Sequence, residues 1–207
     1  NSKKTPVGYE KYYYLDMTEP LKRKIYHQWR ISELIMKLRE INQPIIALIH
    51  GSAAGGGLGF ILASDIRIAT PEAKFINASI NIGLTGADMG SSYFLPRLIG
   101  MSKAAEIIYT GKALNGLEAE KLGLVTKLVD KEHLLDSGLE LAKEMLTKSP
   151  LGLRLTKRAI NLTLDSPSLS NVIQFENSSI ILAFSSKDMV EASTAFFKKQ
   201  KPNYPLK

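Results

Sequence analysis

The chain has 207 residues, 44% of them hydrophobic and 23% charged, as is typical of a globular protein with one sizeable core. There is no run of about 18 apolar residues, so we expect neither a transmembrane helix nor a secretory signal. The sequence has no cysteine and 3 histidines in unrelated contexts, which argues against disulfides and against a metal site. We therefore expect a cytoplasmic protein, or a mitochondrial or peroxisomal one in a eukaryote, and no bound metal.

The net charge is +7, from 27 basic and 20 acidic residues. A positive net charge is compatible with a negatively charged partner, such as nucleic acid, an acidic membrane or a phosphorylated small molecule. The basic residues are scattered, however, and the local groups at residues 3–4, 22–24 and 198–199 are short. Solvated helix faces account for most of them, so neither nucleic acid nor a membrane is an expected partner.

In chain order, the first 17 residues are polar and aromatic and predict an irregular segment. Residues 18–42 follow a helical pattern, with Thr18 as a candidate cap, Pro20 in the first turn and Pro44 beyond the end. The apolar run over residues 45–50 is typical of a buried strand. The chain therefore opens its folded part with a long helix followed by a strand.

Glycines and a short helix through Ala63 come next, and alternating patterns predict strands at residues 65–70 and 74–77. This repeat of strands and helices predicts an α/β fold. After Pro96 the chain is mostly helical, with one more strand in "LVTKLVD".

The last third of the chain is predicted to be a set of amphipathic helices. The candidate start and stop signals of these helices are Ser149, Pro150, Pro167 and Ser168. We therefore divide the chain into a core over residues 1–130 and a helical C-terminal subdomain over residues 131–207.

A glycine-rich segment, "IHGSAAGGGLGFILASDIRIA", joins the first strand to the short helix. Glycines at a helix start leave backbone N–H groups free at the positive end of the helix, where they can bind an anion or an oxyanion. The stretch lacks the Gly-Lys-Ser/Thr of a phosphate-binding loop and the acidic residue of a dinucleotide fingerprint. A tight turn with close helix packing is the structural alternative.

Several ordered motifs resemble the enoyl-CoA hydratase/isomerase (crotonase) family. They are "PIIALIHGSAAGGGLGFILASDIRIAT", "AKFINASINIGLTGADMGSSYFLPRLIG", "TGKALNGLEAEKLGLVTKLVD" and "SSKDMVEASTAFFKKQKP". The resemblance implies a ββα spiral core, an acyl-CoA thioester as substrate in fatty acid metabolism, and a homotrimer or homohexamer. Coenzyme A would be part of the substrate, with no separate cofactor.

The same resemblance implies an oxyanion hole, in which the backbone N–H of Gly56 polarises the thioester carbonyl. Its neighbours Ala54, Gly55 and Gly57 then lie against the substrate. In the family a second N–H comes from an earlier loop, which is not found in this sequence. We expect the chain to be the C-terminal portion of a longer protein, the alternative being the loss of half of the hole.

Two glutamates serve the hydratases of the family, and the matching positions here are Gly59 and Ser79. Without this carboxylate pair, the activation of water is in doubt. Asp88 is an acid near a turn where some isomerases of the family carry their proton-transfer group, so it is the predicted base. An Asx-turn or cap is the structural alternative for Asp88, and Asp65 is expected to pair or cap rather than to catalyse.

Further substrate contacts are implied for Ser79 and Leu84 and for the terminal helix, which in the family reaches the nucleotide end of coenzyme A. The candidates there are Phe197, Lys198 and Lys201, and a solvated helix end is the alternative.

Four functions remain open from the sequence. The preferred one is double-bond isomerisation of an acyl-CoA thioester through an enolate, with Asp88 as base. The alternatives are a hydratase with atypical catalytic residues, a non-catalytic acyl-CoA-binding member of the family and, with less support, an RNA-binding member.

Overall fold

The computed structural model describes residues 18–166 and 168–204, so the predicted irregular segment and Pro167 lie outside the described residues. Up to residue 76 the elements are α1 (Glu19–Glu40), β1 (Ile46–Ile49), β2 (Ser52–Ala54), α2 (Gly56–Ala63), β3 (Ile66–Ala69) and β4 (Lys74–Ile76). After a 3-10 turn at Ala78–Ile82 come α3 (Ser91–Ile99), α4 (Met101–Thr110), β5 (Leu114–Asn115), α5 (Gly116–Lys121) and β6 (Lys127–Leu128). A second 3-10 turn at Lys131–His133 leads to α6 (Leu134–Leu146), α7 (Pro150–Asp165), α8 (Leu169–Phe184) and α9 (Lys187–Phe197).

The strands form two small sheets. The first has the order β1-β3-β6 and is parallel throughout, with Ile46 opposite Ile66 and Ile49 opposite Ala69. The second has the order β2-β4-β5, in which β2 and β4 are parallel and β5 is antiparallel. Parallel neighbours require crossover connections, and α2 provides the one between β1 and β3. The α/β fold class is confirmed.

The helix α2 lies at the centre of the core. Its sequence is apolar on all sides, which is the pattern of a buried helix. Leu58, Ile61 and Leu62 belong to the main hydrophobic cluster, together with Phe75 of β4 and Leu95 of α3. The first turn of α2 is less buried than its end. A rigid core element therefore carries the glycines at its more accessible end.

Most of the predicted boundaries are confirmed. Thr18 is the N-cap of α1, although its side chain makes no capping bond, and Pro20 lies in the first turn. The side chains of Ser149 and Ser168 accept the expected bonds from Gly152 and Asn171.

Helix α3 contains a proline, Pro96, in its interior. Helix α3 begins at Ser91 and continues past Pro96 to Ile99, where the N–H of Gly100 still donates to the carbonyl of Pro96. A proline inside a helix removes one backbone bond. Burial of Phe94 and Leu95 offsets that loss.

Asp65 joins three elements at the start of β3. Its Oδ1 atom lies 3.1 Å from Nη1 of Arg39 on α1, and its Oδ2 atom lies 2.8 Å from Nζ of Lys157 on α7. Oδ2 also accepts the N–H of Ile45 at 2.8 Å. The Lys157 side chain is only 4% exposed and donates to the carbonyl of Gln43 at 2.9 Å. The expectation that Asp65 pairs at the start of the strand is confirmed.

We expect Asp65→Ala to lower the free energy of unfolding by about 3–5 kcal/mol, because it leaves the buried Lys157 ammonium without its counter-charge. Urea unfolding at one fixed protein concentration measures this change. Asp130→Ala is the matched control, since Asp130 is exposed and its side chain caps no helix. A loss below 1 kcal/mol for Asp65→Ala, on the scale of a surface ion pair, would contradict the prediction.

Within residues 18–166 and 168–204, every helix is too short or too polar to cross a bilayer. Over the same ranges, no three side chains of His, Cys, Asp or Glu come together as metal ligands would.

Candidate active site

The glycine segment forms a sharp turn between β2 and α2. Gly55 has φ 51° and ψ −119°, a conformation that only glycine adopts readily. Its N–H donates to the carbonyl of Ile76 on β4 at 3.3 Å, and its carbonyl accepts from Gly59 at 3.2 Å. The N–H groups of Gly56 and Gly57 belong to the first helical turn and have no acceptor inside the helix.

The space around this turn is open. A Cβ atom on Gly57 would have no neighbour within 4 Å, and one on Gly56 would meet only Cε of Met89, at 3.8 Å. Ala54, the last residue of β2, is exposed beside it. The predicted oxyanion donor Gly56 and its predicted substrate-binding neighbours Ala54, Gly55 and Gly57 therefore lie where β2 leads into an accessible helix N-terminus, at which the helix dipole favours negative charge.

A second turn, residues 86–90, carries Asp88 and is held by buried hydrogen bonds. The carbonyl of Gly86 accepts from Nδ2 of Asn77 and from Oγ of Ser91, both at 2.8 Å. The N–H of Asp88 donates to Oγ of Ser91 at 3.2 Å, and the N–H of Ser91 donates to the carbonyl of Asp88 at 2.9 Å. Any Cβ on Gly86 would lie 2.5 Å from the carbonyl oxygen of Ile108 on α4. The backbone at Asp88 is thus fixed on both sides.

The carboxylate of Asp88 has two side-chain partners. Nε2 of Gln28 donates to Oδ1 at 2.6 Å, and Oγ of Ser79 lies 3.4 Å from Oδ2. Asp88 is half-buried, and Ser79 is buried. The structure thus brings together Asp88 and Ser79, both predicted, and adds Gln28 of α1, which was not.

Met89 connects the two turns. It directly follows Asp88, has the left-handed φ of 49°, and is 5% exposed. Met89 lies close to Gly56, as described above, and also to Gly59. If a Cβ atom were added to Gly59, it would lie 2.5 Å from Cβ of Met89 and 3.0 Å from the carbonyl oxygen of Met89. The turn with Asp88 therefore packs against the first half of α2.

Gly59 cannot accept a side chain in this packing. We expect Gly59→Ala to lower the free energy of unfolding by about 1–3 kcal/mol, because the atoms it would meet belong to a turn that cannot easily move. Gly57→Ala is the matched control, since a Cβ has open space there. Urea unfolding of both variants checks this. Equal stability of the two variants would show that Met89 can move away.

Arg67 of β3, which sequence reasoning missed, fixes the other end of α2. Its Nε donates to the carbonyl of Leu124 at 2.6 Å and its Nη1 to the carbonyl of Ser64 at 2.7 Å. Burial, and then the nearby charge of Arg39, lowers the pKa of Arg67 from its usual value. Cations at a helix C-terminus complement the dipole, so Arg67 stabilises α2 in the orientation that points its N-terminus at the site.

The remaining predicted contacts lie on the surface. Leu84 follows the 3-10 turn and is 59% exposed, and its N–H donates to the carbonyl of Ser79. Phe197 is 83% exposed at the end of α9, and Lys198 and Lys201 beyond it are also exposed. No observed contact assigns these four residues to a substrate, so their roles stay predictions.

The fold is that of the crotonase-type enzymes. The solved structure of a "probable enoyl-CoA hydratase/isomerase" from Mycobacterium abscessus matches with a TM-score of 0.85 and 36% identity, covering 91% of this chain and 72% of that one. The family model for enoyl-CoA hydratase/isomerase matches residues 15–206. The chain therefore belongs to the enoyl-CoA hydratase/isomerase family, and the predicted resemblance is confirmed.

Relatives in the family carry different activities in their names. The "Probable enoyl-CoA hydratase echA12" of Mycobacterium leprae is 39% identical over 185 residues, which are 89% of this chain and 63% of the relative. The "1,2-epoxyphenylacetyl-CoA isomerase" of Escherichia coli is 33% identical over 171 residues, which are 83% of this chain and 64% of the relative. The chain thus spans somewhat less than two thirds of the length of these relatives.

Proposed function

We propose that the protein acts on acyl-CoA thioesters and moves a carbon–carbon double bond, with Asp88 as the base and the N–H of Gly56 as an oxyanion donor. The observation that carries the proposal is that the turn bearing Asp88 packs, through Met89, on the first half of α2. At the two positions of the hydratase glutamates the chain has Gly59 and Ser79. A single carboxylate beside an oxyanion donor suits proton transfer better than water activation.

The reaction is balanced with one carboxylate. Asp88 takes a proton from the carbon next to the thioester carbonyl of a 3-enoyl-CoA, and the electron pair moves onto the thioester oxygen. The N–H of Gly56 and the dipole of α2 stabilise that oxygen. The same carboxylic acid returns the proton two carbons further along, which gives the 2-enoyl-CoA. No water is added and no second acid is needed.

The second candidate is a hydratase with atypical catalytic residues, which is favoured by the name of the relative from M. leprae. The name of the relative from E. coli favours an isomerase. In either case coenzyme A is part of the substrate, and Phe197, Lys198 and Lys201 are the proposed contacts at its nucleotide end. A non-catalytic acyl-CoA-binding role is a further alternative, and RNA binding has less support.

Incubation of the full-length protein with 3-enoyl-CoA and with 2-enoyl-CoA tests these functions. Interconversion of the two thioesters is the expected result. Formation of the 3-hydroxyacyl-CoA alone would establish a hydratase instead. Binding of both thioesters without turnover would leave a non-catalytic member of the family, and RNA binding with a steep salt dependence would favour the last alternative.

We further propose that the protein is a homotrimer or homohexamer, located in the cytoplasm or, in a eukaryote, in mitochondria or peroxisomes. The helix α8 has no buried residue and exposes a series of large apolar side chains. These are Leu169, Ile173, Ile180, Ile181, Leu182 and Phe184. Apolar surface of this kind is typical of an interface between subunits. Sedimentation equilibrium measures the mass, and a monomer at micromolar concentration would contradict the proposal.

A further inference from the structure

We infer that Gln28 is a positioning residue for the base of this site, holding the Asp88 carboxylate in one orientation through its hydrogen bond to Oδ1. The inference rests on the proposed function. It concerns a residue on α1, 60 positions from Asp88 in sequence, which neither the glycine segment nor the second turn would identify.

The two oxygens of Asp88 are held unequally. The bond from Nε2 of Gln28 to Oδ1 is 2.6 Å long, short for an N–H···O bond, whereas Oγ of Ser79 stands 3.4 Å from Oδ2. Oδ1 is therefore occupied by a firm donor, and Oδ2 has only a long contact. The geometry assigns proton transfer to Oδ2, because the hydrogen bond from Gln28 makes Oδ1 the less basic of the two oxygens.

The backbone leaves this orientation undetermined. Two bonds with Ser91 fix the main chain of Asp88, but they do not act on the carboxylate, which can still rotate about its side-chain torsions. Rotation would exchange the two oxygens and move the proton acceptor. Because a displacement of about 1 Å at a reacting group can cost about 100-fold in rate, a donor that stops this rotation has a kinetic effect.

Gln28 is exposed, and the packing of α1 further along the helix sets the position of its backbone. Ile35 lies seven residues later on the same face of the helix and packs close to α2 and to the second turn, since it approaches the Cβ positions of Gly59 at 3.4 Å and of Gly90 at 3.6 Å. At the end of α1, Arg39 donates to the carbonyl of Ala63 at 3.1 Å. The helix that carries Gln28 is therefore attached to α2, the same element that carries Gly56.

The test replaces Gln28 in the full-length protein and follows isomerisation of a 3-enoyl-CoA. Gln28→Leu is expected to lower kcat by about 10- to 100-fold with little change in KM, because the base is displaced while the thioester contacts remain. Gln28→Asn keeps the amide but is one methylene shorter, and we expect a similar loss. Lys24→Leu, exposed one turn earlier on α1, is the control and should keep the kcat of the wild type.

A double-mutant cycle separates positioning from a purely structural role. Once Asp88→Asn has removed the base, adding Gln28→Leu should lower kcat no further, whereas independent effects would multiply. Multiplying effects, or wild-type kcat in Gln28→Leu, would overturn the inference. Wild-type kcat in Asp88→Asn would instead overturn the proposed function, so the two failures are distinguishable.

Discussion

Replacing Asp88 by Asn is expected to lower kcat for double-bond migration by a factor of about 10² to 10⁴, the usual contribution of a positioned acid or base. The amide has nearly the shape of the carboxylate but cannot accept the proton. The backbone bonds of the turn to Asn77 and Ser91 do not involve this side chain, so the fold should be unchanged. The loss should therefore appear in kcat and not in the melting temperature.

Two measurements make this result specific. Binding of a saturated acyl-CoA, which cannot react, should be similar in the wild type and in Asp88→Asn, because the variant keeps the site and loses only the base. Ser79→Ala is the comparison, since it removes the long contact to Oδ2 and leaves both the carboxylate and Gln28 in place. It should lose much less activity than Asp88→Asn. Asp88→Asn with kcat within tenfold of the wild type would exclude Asp88 as the base.

The parts of the fold that were predictable depend on local signals. The apolar run before the glycines and the alternating run after them specify β1 and β3, because burial and turn residues act within a few positions. The strands β2 and β5 lie in segments without a strand pattern of their own, and both pair with β4, a contact that the local sequence does not show. Helix α3 continues past Pro96 because the burial of Phe94 and Leu95 offsets the backbone hydrogen bond that the proline removes.

The site was predictable only in part for the same reason. The open helix start at Gly56 can be derived from the glycines alone. Gln28, the hydrogen-bond partner of Asp88, cannot be derived from the sequence in this way. The seven-residue spacing of Gln28 and Ile35 indicates that they share a helix face, but it does not indicate what that face contacts. Gly59 is a similar case. By its match to the hydratases of the family, this position lacks their glutamate. The packing adds that Met89 occupies the space that a side chain at Gly59 would need.

The oxyanion donor can be removed without removing the helix that carries it. Proline lacks an N–H, and the first helical residue is the position where helices tolerate it best. Gly56 is that residue in α2. The residue before a proline must avoid the helical region, and Gly55, with ψ −119°, already does. Gly56→Pro therefore suits the backbone on both sides of the bond.

We expect Gly56→Pro to lower kcat by about 10²- to 10³-fold, as loss of one oxyanion donor does elsewhere. Gly56→Ala is the matched comparison, because it keeps the N–H and places its Cβ at an ordinary 3.8 Å from Met89. Crowding by the Cβ atom is present in both variants, whereas loss of the donor, together with the ring Cδ atom that replaces its hydrogen, is present only in the proline. A Gly56→Pro enzyme as active as Gly56→Ala, with both folded by circular dichroism, would mean that this N–H does not stabilise the transition state, and the thioester oxygen would have to be bound elsewhere.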